Sequence, residues 1–135
     1  MRVVVDTNII FSLLLQKKSK FRKRFFQKDV EIFAPNFLMI EIIRHKEKLL
    51  KNSKLEEAEV IELLHLILQK IHFINEMTIS MPNKIQAYEW CKDIDETDTP
   101  FVALALDLES SFWTGDKKLR AALEQRGFHK FFKAV

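Results

Sequence analysis

The sequence predicts an α/β protein built on a mainly parallel sheet with helices on both faces. Short, continuously apolar and β-branched runs such as "RVVV" are typical of buried strands. These runs alternate along the chain with longer segments of helical periodicity. Such alternation favours a parallel sheet, because each crossover helix returns the chain to the same end of the sheet. We expect four to five strands in a single domain over residues 1–135.

The first part of the chain contains two predicted strands and three predicted helices. The strand "RVVVD" is followed by a helix from Thr7 through Leu15. The segment "KKSKFRKRFFQK" interleaves basic residues with phenylalanine, which indicates a helix that packs its Phe side chains inward. The run "VEIFA" predicts the second strand. Pro35 can begin a helix, and we expect the third helix over "NFLMIEIIRHKEKLLKN".

The middle of the chain holds a strongly amphipathic helix, "LEEAEVIELLHLILQK", followed by a short strand candidate, "IHFI". The apolar stripe that we predict for this helix consists of Leu55, Ala58, Ile61, Leu64 and Leu68. We expect the stripe to pack in the core, and a dimer face is the alternative.

The last part of the chain contains three more predicted helices and one or two strands. Pro82 begins the helix "NKIQAYEWCKDI", and the loop "DETD" leads into the helix "TPFVALALDL". The strand "SSFWTG" ends in a turn at Gly115. The helix "DKKLRAALEQRG" places Gly127 at its C-cap. The segment "HKFFKAV" is a candidate for a fifth strand.

Composition excludes several classes of function. Gly115 and Gly127 are the only glycines, so neither a P-loop nor a Rossmann glycine motif can be present. Cys91 is the only cysteine, which rules out an intrachain disulfide and fits a reducing compartment. We recognise no signal peptide and no membrane span, and therefore expect a soluble, cytoplasmic protein. A net charge of +3 permits nucleic-acid binding without arguing strongly for it.

Acidic residues fall at positions where an open parallel sheet collects active groups, outside the carboxyl ends of its strands. Asp6 ends the first strand, and Asp116 lies just beyond the "FWT" strand. Asp98 lies between the loop "DIDET" and the next helix. Glu41 interrupts the apolar run "FLMIEIIRH" within a helix. The sheet could bring these four acids to one edge.

Each acid also has a simpler interpretation when it is taken alone. Asp6 and Asp98 could be N-caps of the helices that follow them. Asp116 could be an ordinary turn residue after Gly115. Glu41 could pair with Arg44 or His45 along its own helix.

Taken together, the four acids indicate a divalent cation. Carboxylates that converge in one cleft repel each other and raise each other's pKa unless a cation lies among them. The potential ligands are oxygens, with no Cys or His at zinc spacing, which favours Mg²⁺ or Mn²⁺. The chemistry that such a centre supports is metal-assisted hydrolysis of a phosphodiester.

Four segments, in order, resemble the PIN domain: "VVVDTNII", the helix that carries Glu41, "DETDTPFVALAL" and "WTGDKKL". The resemblance extends over essentially the whole chain. It implies a three-layer α/β/α sandwich around a parallel sheet, and a magnesium- or manganese-dependent ribonuclease site. Many members are VapC-type toxins that form homodimers and are silenced by a small antitoxin protein.

The resemblance also implies roles for individual residues. The four family acids fall on Asp6, Glu41, Asp98 and Asp116. We expect the three aspartates to hold metal directly or through water, and Glu41 to hold a second ion or orient the attacking water. The residues expected to support them are Asn8 and Thr114, through hydrogen bonds, and Asp95, a second candidate in the loop of the third acid.

Two groups of basic residues are candidates for contact with RNA. Lys117 and Lys118 follow Asp116 directly, although they could also be ordinary surface lysines. The second group has a solvated helix face as its alternative; it consists of Lys17, Lys18, Lys20, Arg22, Lys23 and Arg24.

The leading hypothesis is therefore an endoribonuclease that acts as the toxin of a toxin–antitoxin pair. One alternative is a housekeeping PIN nuclease that processes RNA without an antitoxin. The other alternative is a non-catalytic, nucleic-acid-binding PIN domain. RNA and DNA both remain open as substrates, because a carboxylate–metal centre does not itself read the 2′-hydroxyl.

Overall fold

A computed structural model describes residues 1–134 of the chain. Four short strands form one sheet in the order β3-β2-β1-β4, and every neighbouring pair is parallel. The strands are β1 (Arg2–Val5), β2 (Glu31–Pro35), β3 (Ile71–Ile74) and β4 (Ser111–Trp113). The predicted parallel α/β fold is confirmed.

The described residues form seven helices, which lie in two groups around the sheet. The first group packs α1 (Thr7–Leu15) against α2 (Lys20–Phe25), α3 (Phe37–Asn52) and α4 (Glu57–Lys70). The second group packs α5 (Met81–Cys91) against α6 (Thr99–Leu108) and α7 (Lys117–Gln125). Short 3₁₀ turns cover Glu76–Thr78 and Glu96–Asp98. Within residues 1–134, no helix combines the length and the apolar character needed to cross a bilayer.

The strand order places a topological switch point between β1 and β4. From β1 the chain moves outward through β2 to β3, and then returns across the sheet to β4 on the other side of β1. Right-handed crossovers in opposite directions place their helices on opposite faces of the sheet. The segments that follow the carboxyl ends of β1 and β4 therefore diverge toward opposite faces of the sheet. Open α/β sheets form their binding crevice at such a point. Val5 pairs with Trp113, so Asp6 and Thr114 leave the sheet side by side.

The core lies around β1 and α6. Val3, Val4 and Val5 are fully buried, as expected for a central strand that is covered on both faces. Helix α6 contacts β1, β2 and β4, and its residues from Phe101 through Ala105 are all buried. This burial explains why "FVALA" is apolar without a helical period.

Two expectations about helices, and one about a strand, differ from the structure. Pro35 ends β2, where it pairs with Ile74, and α3 begins only at Phe37. The fully buried residues of α4 are Val60 and Ile67. Of the predicted stripe, Leu55, Leu64 and Leu68 are partly buried against the core, whereas Ala58 is exposed and Ile61 is 56% exposed. Apolar residues occur on several sides of α4, so the sequence pattern fits more than one stripe.

The segment predicted as a fifth strand forms only a single parallel bridge, between Phe131 and Phe112. Its last residue, Val135, lies outside the described residues. The helix before it ends as predicted near Gly127, with Arg126 as the C-cap. Gly127 has a φ of 105°, a backbone conformation that glycine adopts without steric cost.

Glu76 provides the N-terminal cap that α3 lacks in its own sequence. Asn36 is the N-cap residue of α3, but its side chain makes no cap hydrogen bond. The carboxylate of Glu76 instead accepts the N–H groups of Asn36, at 3.2 Å, and of Phe37, at 2.8 Å. A carboxylate at a helix N-terminus also stabilises the helix dipole. Glu76 therefore links the end of β3 to the helix that carries Glu41.

Replacing Glu76 with alanine is expected to destabilise the fold by about 1–2 kcal/mol, as for the loss of a good N-cap. Chemical denaturation measures this change directly. Glu62→Ala is the matched control, because Glu62 is exposed on α4, and it should change stability by less than about 0.5 kcal/mol. Equal stability of Glu76→Ala and the control would show that Glu76 does not cap α3.

Candidate active site

Asp6 lies at the carboxyl end of β1 and is 3% exposed. Its backbone N–H donates to the carbonyl of Trp113 at 3.1 Å, which joins the ends of the two strands at the switch point. Its Oδ1 accepts the N–H of Ile9 at 2.9 Å and caps α1. The capping role that the sequence suggested is therefore present. It occupies one carboxylate oxygen and fixes the side chain in the crevice.

Burial raises the pKa of Asp6 from 3.8 to about 6. Hydrogen bonds from the Thr114 hydroxyl and from Ile9 act in the opposite direction. The negative charges of Asp116 and Glu41 raise the pKa further. The charged form of Asp6 is thus disfavoured by both desolvation and repulsion, and a cation in the crevice would favour it.

Asp116 and Thr114 follow β4 and face the same crevice. The Oδ1 of Asp116 accepts the N–H of Leu119 at 3.1 Å and caps α7. The N–H of Asp116 donates to Thr114 Oγ1 at 3.1 Å. Thr114 thus connects the two aspartates, since its hydroxyl also stabilises the charged form of Asp6.

Glu41 reaches the crevice from α3 and is held there by Thr7. The hydroxyl of Thr7 donates to Glu41 Oε1 at 2.5 Å. Thr7 is buried and follows Asp6 directly, so this bond places the second acid beside the first. Arg44 and His45, the alternative partners of Glu41, make other contacts. The Arg44 guanidinium lies 6.0 Å from the ring centre of Phe37, and the ring of His45 meets the ring of Phe11.

Asp98 occupies the N-cap position of α6, but its side chain makes no capping hydrogen bond. Desolvation raises its pKa from 3.8 to about 7, and repulsion from Asp95 is the next largest cause. Asp6, Asp116 and Glu41 also raise it. The interpretation of Asp98 as a side-chain helix cap is therefore wrong. Its carboxylate is instead repelled by the charges of the other acids in the crevice.

Asp95 has a different position from Asp98. Its Oδ1 accepts from both the N–H and the hydroxyl of Thr97, at 3.0 Å and 2.7 Å, and its side chain is exposed. Asp95 thus caps the 3₁₀ turn and adds negative charge near Asp98. Of the two loop aspartates, Asp95 caps a turn with its carboxylate, whereas the carboxylate of Asp98 makes no capping hydrogen bond.

The four acids repel one another, and none of them forms an ion pair with a basic residue among residues 1–134. The charges of Asp116 and Glu41 raise the pKa values of both Asp6 and Asp98, and the charge of Asp6 also raises the pKa of Asp98. Among residues 1–134 the ion pairs involve other acids, namely Asp29, Glu89, Asp93 and Glu124. A partly buried group of carboxylates without a protein cation is stable only when protons or external cations neutralise it.

The donor set fits a hard divalent cation, and the spacing limits how the cation is bound. In the described part of the chain, no three His, Cys, Asp or Glu side chains lie close enough together to ligate one ion simultaneously. Mg²⁺ commonly uses one or two carboxylates directly and keeps several waters. The arrangement therefore fits an ion that one or two of the acids ligate and that the others reach through water.

The remaining predicted residues lie around this group. Asn8 is exposed and lines a cleft beside Glu41. Lys117 and Lys118 are exposed in the first turn of α7, next to Asp116.

The basic segment near α2 is partly structural. The Arg22 guanidinium donates to the carbonyls of Leu13, Gln16 and Lys17. These bonds pair backbone carbonyls at and just beyond the C-terminal end of α1. Arg24 pairs with Asp29 at 2.9 Å. Arg22 and Arg24 are therefore occupied by contacts within the protein, which favours the structural interpretation for these two residues.

Thr7 is the site residue that the sequence analysis missed. Asn8 and Thr114 were the polar groups expected to support the acids, whereas Thr7 makes the hydrogen bond to Glu41. A hydroxyl directly after the first acid was the available signal. Its partner depends on how α1 crosses α3, which the sequence pattern does not specify.

The family model of the PIN domain matches residues 4–128. Because this match covers most of the chain, the protein belongs to the PIN-domain family, whose members are in general nucleases. The resemblance inferred from the sequence motifs is confirmed. A search of curated proteins finds no significant match.

Proposed function

We propose that this protein is an endoribonuclease that uses Mg²⁺ or Mn²⁺ to hydrolyse RNA phosphodiester bonds. The observation that carries the proposal is the group formed by Asp6, Glu41, Asp98 and Asp116 at the β1/β4 switch point. These acids come from remote parts of the chain, repel one another, and have no basic partner among the described residues. Family membership adds a general nuclease function to this geometry.

The three aspartates are the proposed metal-holding residues. Asp6 and Asp116 each use Oδ1 to cap a helix, so the caps fix the orientation of both carboxylates. Asp98 makes no side-chain cap and its carboxylate is available to an ion. A bound divalent cation would supply positive charge against the negative charge that develops on the phosphate during hydrolysis.

Glu41 is the proposed residue that orients the attacking water. Thr7 occupies Oε1 of its carboxylate, which leaves Oε2 to accept a hydrogen bond from water. Thr114 positions Asp6 and Asp116 through its hydroxyl. Lys117 and Lys118, which are exposed beside Asp116, are the proposed contacts to the phosphate backbone.

The biological role proposed is that of a cytoplasmic toxin controlled by an antitoxin protein, with a homodimer as the working form. Exposed apolar side chains on and near α3 and α5 support an interface with a second protein chain. They are Ile40, Ile43, Met77, Met81, Ile85 and Tyr88. Light scattering over a range of concentrations tests the dimer, and a mass of one chain throughout would contradict it.

The nuclease proposal predicts metal-dependent cleavage of a mixed RNA pool. Products should form with Mg²⁺ and with Mn²⁺ and should disappear with chelator. Without a metal ion, the acids provide no positive charge to offset the negative charge of the phosphate. Mapping of the product ends gives the cleavage sites, and a matched DNA pool measures the preference for RNA. Equal cleavage with and without chelator would overturn the metal role, and absence of cleavage in every condition would overturn the nuclease role.

The toxin role needs a separate test. Expression of the active protein without a partner should arrest growth, and the same expression of Asp6→Asn should not. A short neighbouring reading frame that encodes a DNA-binding protein should relieve the arrest. Normal growth with verified, active protein would favour the housekeeping nuclease. An RNA-binding protein that never cleaves would instead favour the non-catalytic alternative.

A further inference from the structure

A cleft of about 410 Å³ lies between α1 and α3, directly beside the acids. This volume is within the range of small-ligand sites in proteins, roughly 300–1,000 Å³. Asn8 and Phe11 line it from α1, and His45, Lys48 and Asn52 line it from α3. Each set recurs at steps of three or four residues, so the side chains of each helix lie along one face.

The cleft is continuous with the candidate active site. Thr7 and Glu41 both line it, and they are the pair that joins α1 to α3 by a hydrogen bond of 2.5 Å. From Glu41 the α3 side runs to Asn52, a distance of about 16 Å at 1.5 Å per residue. A strand whose phosphate lies at the acids can therefore continue into the cleft.

The far end of the cleft is also fixed. The hydroxyl of Ser53 donates to the carbonyl of Leu14 at 2.6 Å, and the N–H of Lys54 donates to the carbonyl of Leu15 at 2.8 Å. With the Thr7–Glu41 bond at the other end, α1 and α3 are joined on both sides of the cleft. A site held in this way loses little freedom when a ligand binds.

The lining offers the chemical groups that recognise a nucleotide. The rings of Phe11 and His45 meet edge to face, with centroids 5.8 Å apart and planes at 76°, and so form an aromatic corner. Unstacked bases bind proteins by stacking on such rings and by hydrogen bonds to their edges. Asn8 and Asn52 supply amide donors and acceptors, and Lys48 supplies a charge for a phosphate. His45, Lys48 and Asn52 are exposed.

We propose that this cleft binds a nucleotide of the RNA strand next to the cleaved phosphate, with its base against Phe11 and His45. The proposal rests on the proposed nuclease function, and it assigns base preference to α1 and α3. A nucleotide fits better than a peptide segment, because both walls are helices whose backbone groups are already paired and cannot add a strand. Phe11, Leu15 and Leu49 form the apolar part of the lining, and Asn8, Lys48 and Asn52 add the polar groups that a base edge and a phosphate require.

Two pairs of variants test the cleft while leaving the acids intact. Lys48→Ala is compared with Lys46→Ala, because both lysines are exposed on α3 and only Lys48 lines the cleft. His45→Ala is compared with His65→Ala, an exposed histidine on α4. Each variant is measured in two ways: by mapping the ends cut in a mixed RNA pool, and by anisotropy of a labelled RNA hexamer. The binding measurement uses an Asp116→Asn background, so that no RNA is cut.

His45→Ala is expected to weaken hexamer binding by about tenfold, as for the loss of one stacked base. It should also change the base preference at one position beside the cut. Lys48→Ala should reduce the slope of log affinity against log salt by about 0.7, the value for one phosphate contact on a single strand. Lys46→Ala and His65→Ala should resemble the parent protein in both measurements.

Two results separate this proposal from the nuclease proposal. If RNA is cut normally but the cleft variants bind and cleave like their controls, the cleft proposal is overturned and the nuclease proposal stands. If no RNA is cut but His45→Ala and Lys48→Ala still weaken hexamer binding, the cleft is confirmed and the nuclease proposal fails. Absence of hexamer binding to the Asp116→Asn protein overturns the cleft proposal.

Discussion

Replacing Asp6 with asparagine is expected to abolish RNA cleavage while leaving the fold intact. Asparagine caps a helix as well as aspartate does, so the hydrogen bond from Ile9 can be kept. The change removes a buried negative charge, and with it a proposed metal ligand. Activity should therefore fall by more than the roughly 10–100-fold that is typical of residues that only support a ligand. Initial cleavage rates with Mg²⁺ measure the loss.

Asp107→Asn is the matched control for this variant. The carboxylate of Asp107 also accepts a backbone N–H, from Ser80 at 3.1 Å, but it lies outside the acidic group. Its activity should stay close to that of the parent protein. Circular dichroism should show both variants folded. A folded Asp6→Asn protein that cuts RNA at the parental rate would remove Asp6 from the proposed mechanism.

The second large effect is on stability. In the presence of chelator, the contribution of Asp6 and Asp98 to the free energy of unfolding should become less favourable as the pH rises from about 4 to about 7. Their pKa values are about 6 and about 7 in the folded protein, against 3.8 for the free side chain. In this window the folded chain holds protons that the unfolded chain has released. Raising the pH therefore favours unfolding.

Divalent cations should reverse this loss above pH 7. A ligand at 100 times its Kd stabilises the folded state by about 2.7 kcal/mol, which raises the Tm of a chain this size by roughly 10 °C. At pH 5 the increase should be much smaller, because Asp6 and Asp98 are then largely protonated and must lose protons to bind metal. Thermal melts with Mg²⁺ and with chelator measure the difference.

The double variant Asp6→Asn, Asp98→Asn is the reference for both melts. In chelator at pH 8 it should be more stable than the parent protein, since two disfavoured charges are gone. It should also gain little from Mg²⁺. A parent protein whose Tm is independent of Mg²⁺ at pH 8 would contradict the proposal that these acids bind the ion.

The sequence predicted those parts of the fold that local chemistry controls. The β1 strand, α1 and α6 were placed correctly, since continuous apolar runs bounded by Asp6 and by Pro100 leave few other structures. The positions of Asp6 and Asp116 followed from the rule for strand ends. The same rule suggested Glu41 and Asp98 as further members of the group, and the resemblance to the PIN domain, a family that the chain does belong to, selected the same four acids.

Features that depend on tertiary packing were not predictable in the same way. The buried side of α4 is set by its contact with α1, so Val60 and Ile67 point inward although Ile61 is equally apolar. The Thr7–Glu41 bond depends on the crossing of α1 and α3. The cap that Glu76 provides for α3 joins residues about 40 positions apart in the chain. These pairings are decided by geometry that residue types alone do not encode.

A crystal of the protein grown with Mn²⁺, with diffraction recorded at the manganese absorption edge, tests most directly whether the acids gather around a metal. The anomalous signal should show at least one ion in the crevice, ligated by one or two of Asp6, Asp98 and Asp116. Glu41 should lie within reach of the ion or of one of its waters. An ordered crevice without manganese, at concentrations that support catalysis, would contradict the proposed site.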